Sequence, residues 1–185
     1  MANTGMLVSM KPTSVDHSGT SASVNNNGGV DFSAVTSLSL NGVFTSDYDN
    51  YLMVINAIKD VTGNVTLGTR LSVGGVEDST ANSYIMQSLI VSGTSYTNGN
   101  RTTENTWNTR SPVIANAGWN GLTYHIYGPY LTQPTAIRAV TGIATSGAYI
   151  ADAAGTHNQS TSYDGLSFTI ASSITGSVHV FGYRE

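Results

Sequence analysis

With 185 residues, 10% charged side chains and no cysteine, the chain is sized for one domain and has no disulfide framework, thiolate metal site or cysteine nucleophile. Seven basic against eleven acidic residues leave a formal net charge of −4, which cannot neutralise a row of phosphates or hold an anionic membrane surface, so neither nucleic acid nor membrane is expected as a partner. The 23 Ser, 24 Thr, 16 Asn and 20 Gly disfavour helix interiors and supply strands and turns, which excludes helical bundles and α/β folds.

Residues 1–33 read as an extended N-terminal arm. They are mostly Ser, Thr, Asn and Gly, culminating in Asn25-Asn-Asn-Gly-Gly29, with one apolar cluster at Met6, Leu7, Val8 and Met10. A segment this flexible packs its apolar residues onto its own domain only at an entropic cost, so these four are the candidate anchoring residues, directed at another subunit or a larger assembly. Residues 34–185 read as a β-sandwich domain. Strands are expected at Val35–Phe44, Tyr51–Ile58, Val65–Val73, Tyr84–Val91 and Val113–Asn116, then at Leu122–Tyr130, Ala136–Ile143, Tyr149–Ala153, Leu166–Ala171 and Ser177–Tyr183. The alternation is cleanest from Val65 to Val73, as for a half-buried strand, whereas Tyr51–Ile58 and Tyr84–Val91 are apolar on both faces, as for central strands. In the last strand Ser177, His179, Phe181 and Tyr183 share one side and predict an aromatic outer face.

Turn chemistry agrees: Asn41-Gly42, Gly63-Asn64, Gly74-Gly75, Asn98-Gly99, Asn120-Gly121 and Asp164-Gly165 each tolerate positive φ between strands. The Thr- and Asn-rich stretch Gly93–Asn108 is expected to be the longest exposed loop and the place for variable contacts. The expected fold is therefore an all-β, two-sheet antiparallel sandwich, jelly-roll-like, with the N-terminal arm extending from it. The longest apolar runs, such as Tyr51–Ile55, are far short of a membrane span, and the N-terminus has no charged segment leading into an apolar one.

No motif points to catalysis, a metal or a cofactor. Asp47-Tyr-Asp-Asn50 lacks the following Gly and the distant Glu of a calcium loop and reads as turn chemistry. His17, His125, His157 and His179 share no ligand spacing, no nucleophile elbow precedes a helix, and nothing singles out a carboxylate pair for glycoside hydrolysis. The three Asn-x-Ser/Thr triplets occur at about the rate chance gives in so Asn- and Thr-rich a chain. Trp107, Trp119, Tyr124, Tyr127, Tyr130 and Tyr183 are open to two readings: a platform on which sugar rings stack, or core and interface packing.

The run Val35-Thr-Ser-Leu-Ser-Leu-Asn-Gly-Val-Phe-Thr-Ser-Asp-Tyr-Asp-Asn-Tyr51 and the closing Ile174-Thr-Gly-Ser-Val-His-Val-Phe-Gly-Tyr-Arg184 resemble small structural proteins of tailed phages, especially of marine and cyanobacterial hosts. Arg70-Leu-Ser-Val-Gly-Gly75 and Tyr127-Gly-Pro-Tyr130 fit the middle of the same group. The resemblance spans about residues 35–185 and implies a virion surface component of the decoration, head-fibre or tail-fibre kind, made in the host cytoplasm. It carries no catalytic motif. A fibre shaft needs heptads, triplets or β-helical repeats, and this chain has none. What remains is a knob with an arm, which suits an outer capsid decoration (cement) protein. Its expected partners are further copies of itself, as a homotrimer, and the major capsid protein or another virion protein. The alternative is a tail-fibre or receptor-binding tip that recognises host-surface carbohydrate.

Overall fold

The computed structural model describes residues 6–107, 113–115, 118–143 and 149–183. Thirteen strands and no helix occupy those residues. In chain order they are β1 (Val8–Met10), β2 (Ser14–Val24), β3 (Val30–Asn41), β4 (Asn50–Lys59), β5 (Asn64–Val73), β6 (Val76–Glu77) and β7 (Tyr84–Ser92), then β8 (Ser95–Glu104), β9 (Val113–Ala115), β10 (Asn120–Tyr127), β11 (Thr135–Gly142), β12 (Tyr149–His157) and β13 (Gly165–Tyr183). The main ladder runs β2-β3-β13-β4-β10-β11-β12-β7-β8, and its neighbours are antiparallel throughout.

The sheet becomes a sandwich because its longest strand changes partners part-way. Residues 165–170 of β13 pair with β5, whereas residues 174–183 pair with β4. Along the other edge of β13, β3 runs from Leu166 to Val178, and β1 continues from Val180 to Gly182. The bend falls between Thr169 and Gly176, where the β13–β3 register shifts twice. The neighbouring strands give way at the same level: Ala34 of β3 has φ 48°, and Gly19 of β2, beside it, has φ 134° where the β2–β3 register shifts. A bulge bends and twists its strand, and the irregularities of β13 and β3, with the positive φ of Gly19 beside them, turn the corner between two packed layers. On the far side, Thr69 of β5 and Trp107 exchange backbone hydrogen bonds of 3.1 and 3.0 Å, which joins β5 to the chain just beyond β8.

Inward-facing residues of both layers form one core, with Trp107, Tyr51, Tyr84, Tyr124, Tyr163 and Phe44 among its largest members. The alternation read over Val65–Val73 holds for Val65, Leu67, Thr69 and Leu71, which are buried, but Val73 at the strand end is exposed, and Gly68 and Ser72 of the other face are buried as well.

Several boundaries differ from the sequence expectation. The segment read as an arm is extended, but it lies in its own sheet: β1 pairs with β13, β2 pairs with β3 over its whole length, and the boundary placed at 33/34 falls inside β3. The entropic cost of ordering it is met by a backbone ladder. Only Val15, Ala22 and Val24 of β2 turn toward the core, too few to show as a pattern. Of the stretch Gly93–Asn108, Ser95–Glu104 is strand, because Gly93, at φ 59°, allows a two-residue turn that returns the chain as β8 alongside β7; Asn108 lies outside the described residues. Asn98-Gly99 therefore lies inside β8. The two expected C-terminal strands are one bent strand, β13.

Candidate binding face

The layer built from β13, β4, β10, β11, β12 and β7 has a second, outward face, and strict alternation decides which residues occupy it. The register places Tyr127, Asn50 and Tyr183 in one row across β10, β4 and β13. The next two rows are His125, Leu52 and Phe181, then Thr123, Val54 and His179. At a strand spacing of about 4.8 Å, the Tyr127 and Tyr183 backbones stand about 10 Å apart with the Asn50 amide between them. Within each strand the rings line up: His125 and Tyr127 have centroids 6.3 Å apart with planes at 15°, and His179 and Phe181 have centroids 6.1 Å apart at 14°. The aromatic outer face expected from Ser177–Tyr183 is present, and β10 doubles it.

Beyond β10 the rows continue through Arg138, Val140, Asp152 and Ile150 to Leu89 and Val91. Leu89 is 53% exposed, Ile150 56%, and Tyr96, opposite Val91 on β8, 78%. Arg138 and Asp152 sit in the middle of this apolar field as a forked ion pair, with Nε to Oδ1 at 3.1 Å and Nη2 to Oδ2 at 2.7 Å. The Arg138 guanidinium holds the Asp152 carboxyl below its ordinary value. Because the two charges neutralise each other, the face carries apolar and aromatic area without a net field.

No protein-family model matches the chain, and no curated protein sequence does. Among solved structures, the chain is similar to domain 4 of AbnA, a GH43 extracellular arabinanase from Geobacillus stearothermophilus, in complex with arabinotriose, at 12% identity and a TM-score of 0.37 over 96% of this chain and 82% of that one. It is also similar to the CBM2 module of the evolved Dit of Lactobacillus casei BL23 phage J-1, at 9% identity and a TM-score of 0.29 over 94% and 93% of the two chains.

The residues singled out from sequence scatter over the molecule. Of the six aromatics, Trp107 and Tyr124 are core residues and Tyr130 packs half-buried against the core, so packing is their role. Trp119 is exposed, and Tyr127 and Tyr183 belong to the outer face. Of the four candidate anchoring residues, Met6, Leu7 and Val8 are exposed, while Met10, opposite Val180, packs against the core of its own domain. The Asp47–Asn50 loop is organised by the buried Tyr51 phenol, which takes the Thr45 amide proton and faces the Thr45 and Tyr48 carbonyls. Among the described residues, no three or more His, Asp or Glu side chains converge as metal ligands would.

The histidine pattern hid one connection. His157 is fully buried at the end of β12, its Nε2 3.1 Å from Asp78 Oδ2 and 2.6 Å from the Tyr163 hydroxyl. Burial alone would raise the Asp78 carboxyl, but hydrogen bonds from Thr80, Tyr163 and His157 outweigh it and hold the group at about 2. Burial pushes the His157 imidazole below its ordinary value against the pull of Asp78. Tyr84 stacks on His157 with centroids 4.1 Å apart, and its own hydroxyl donates to the Asp78 carbonyl. The cluster pins three connections at one end of the sandwich. No spacing rule finds it, since the segment Asp78–Tyr84 meets the segment His157–Tyr163 across 79 residues of chain.

Proposed function

We infer that this chain is a virion structural protein, most simply an outer capsid decoration protein, whose copies meet through the outward face of the β4–β7 layer. The observation that carries the reading is the exposed apolar area around Leu89, Ile150 and Tyr96, set about a self-neutralised Arg138–Asp152 pair. Apolar patches of this kind on a folded protein mark interaction surfaces. A second copy suits this one because the pair is its own complement: Arg138 of one copy can meet Asp152 of another. Composition supports the same reading, since a hydroxyl- and amide-rich exterior with only two lysines, Lys11 and Lys59, stays soluble with little charge. The resemblance of residues 35–185 to tailed-phage surface proteins supplies the virion context.

Met6, Leu7 and Val8 serve in this reading as the anchor to the shell. Val8 pairs with Gly182 near the end of β13, Met6 and Leu7 precede it, and all three, unlike Met10, bury little against their own domain. Shells assembled with and without the protein test it. Shells lacking it should rupture at lower temperature with host adsorption unchanged, and protein with Met6, Leu7 and Val8 changed to Ser should stay folded but fail to attach. Unchanged shell stability together with lost adsorption would overturn the decoration role.

A further inference from the structure

A groove of about 690 Å³ opens on the outward side of β5 and of the first part of β13, with no residue in common with the outer face described above. Gly68 forms part of its lining, with Thr169 across the β5–β13 ladder and Asn105 and Thr106 supplied by the chain between β8 and Trp107. A Cβ placed on Gly68 would stand 3.3 Å from the Thr169 carbonyl oxygen and 3.4 Å from Thr106 Oγ1, so the missing side chain keeps the groove open. Its volume is that of a small-molecule site.

Three features of the lining state what it takes. First, β5 offers little free edge to a peptide strand: one side pairs with β13, and the other with β9 at residues 64–66, with Trp107 at Thr69 and with β6 at residues 72–73. A ligand is therefore read by side chains rather than by adding a strand. Second, the lining holds one charge of each sign, Arg70 and Glu104, and the Arg70 guanidinium is already engaged, by Glu77 at 2.8 Å and by the Asn105 carbonyl at 3.0 Å, so the groove offers no net charge to a ligand anion. Third, Thr66 and Thr169 contribute hydroxyls and Asn64 and Asn105 contribute amides, groups that both donate and accept, while the Thr106 hydroxyl donates to the Thr69 carbonyl at 3.0 Å and Ala171 adds an exposed methyl. Paired donors and acceptors over a partly apolar floor match a sugar ring, which presents hydroxyls at its rim and C–H groups on its faces.

We propose that this groove binds a short, uncharged oligosaccharide. The site is independent of the decoration reading and shares no residue with the outer face. The test is a titration of the full-length ¹⁵N-labelled chain with neutral hexose, pentose and N-acetylhexosamine trisaccharides at millimolar concentration, with trigalacturonate as a charged control. The expected result is saturable shifts centred on the Gly68, Thr106 and Thr169 amides with at least one neutral trisaccharide. Gly68→Val should abolish them. If that variant does not fold, Asn105→Ala and Thr169→Ala, both at exposed positions, should each weaken binding several-fold. The proposal is overturned if no neutral trisaccharide shifts these amides, if only trigalacturonate does, or if the shifts centre on Tyr127 and Tyr183.

Discussion

His157 and Asp78, 79 residues apart in sequence, meet at 3.1 Å, and the Tyr163 hydroxyl closes the triangle against both. The β6–β7 connection, the end of β12 and the β12–β13 connection are thereby tied at one point. Removing the phenol proton leaves a partly buried carboxylate and a buried imidazole short of a partner, and a buried unsatisfied polar group costs about 1–3 kcal/mol. Tyr163→Phe should therefore lower the urea midpoint with an unchanged m-value. An unchanged midpoint would mean that water replaces the hydroxyl at no cost.

The same triangle makes stability acid-sensitive in two stages. His157 is held below its unfolded value, so the unfolded chain takes up a proton first and stability begins to fall as pH drops through about 6.5. Asp78 titrates at about 2 in the fold against 3.8 unfolded. Its contribution, about 2 kcal/mol, is fully present above its unfolded value and is lost as pH falls through the folded one. Urea midpoints measured from pH 7.5 to 2.5 should show both declines, and Asp78→Asn should shrink the lower one, leaving the part that Asp152 contributes.

The corner of the sandwich depends on absent side chains. A Cβ at Gly176 would stand 2.2 Å from the Asn56 carbonyl oxygen, and one at Gly19 would stand 2.2 Å from that of Ala34, with φ 134° adding strain. Backbone cannot yield to such contacts cheaply, and overpacking costs about 1–3 kcal/mol or more. Gly19→Ala and Gly176→Ala should each lower the denaturation midpoint. Gly121→Ala, with nothing within 4 Å of its added carbon, is the control and should be near neutral.

Deleting residues 1–24 removes β1 and β2 and bares the edge of β3 from Val30 to Asn41. An exposed edge of that length is a template for pairing with another chain. The truncated protein should melt lower and self-associate through β3, seen as concentration-dependent scattering. Unchanged melting and mass would show that the N-terminal segment is dispensable to the fold.

What could be read from the sequence was whatever side-chain patterning records. β4 and β7 announce themselves because Tyr51–Ile58 and Tyr84–Val91 are apolar on both sides, and Tyr51, Met53 and Ile55 do fill the core. β2 leaves no such mark, since its ladder consists of backbone hydrogen bonds common to any sequence. Trp107 and Trp119 are equally prominent as letters, yet one is buried and the other exposed, because the deciding fact is a backbone bridge to Thr69. The outer face was half legible: alternation in β13 showed its aromatic column, but the matching column of β10 and the Arg138–Asp152 pair depend on register, which no single strand encodes.

The outer face is best tested where it is most exposed and least involved in folding. Leu89 lies in a row with Val140 and Asp152, and its side chain is directed away from the core. Leu89→Asp places a second carboxylate beside Asp152, which one Arg138 cannot neutralise, so a partner copy would have to bury an unpaired charge. Within the monomer the new carboxylate stays in water, and facing Asp152 across the ladder it should cost no more than about 1 kcal/mol. Sedimentation of the native chain at micromolar concentration should give a species larger than the monomer. The Leu89→Asp variant should sediment as a monomer whose melting point is lowered by only a few degrees. A native chain already monomeric at that concentration would remove the self-pairing role from this face.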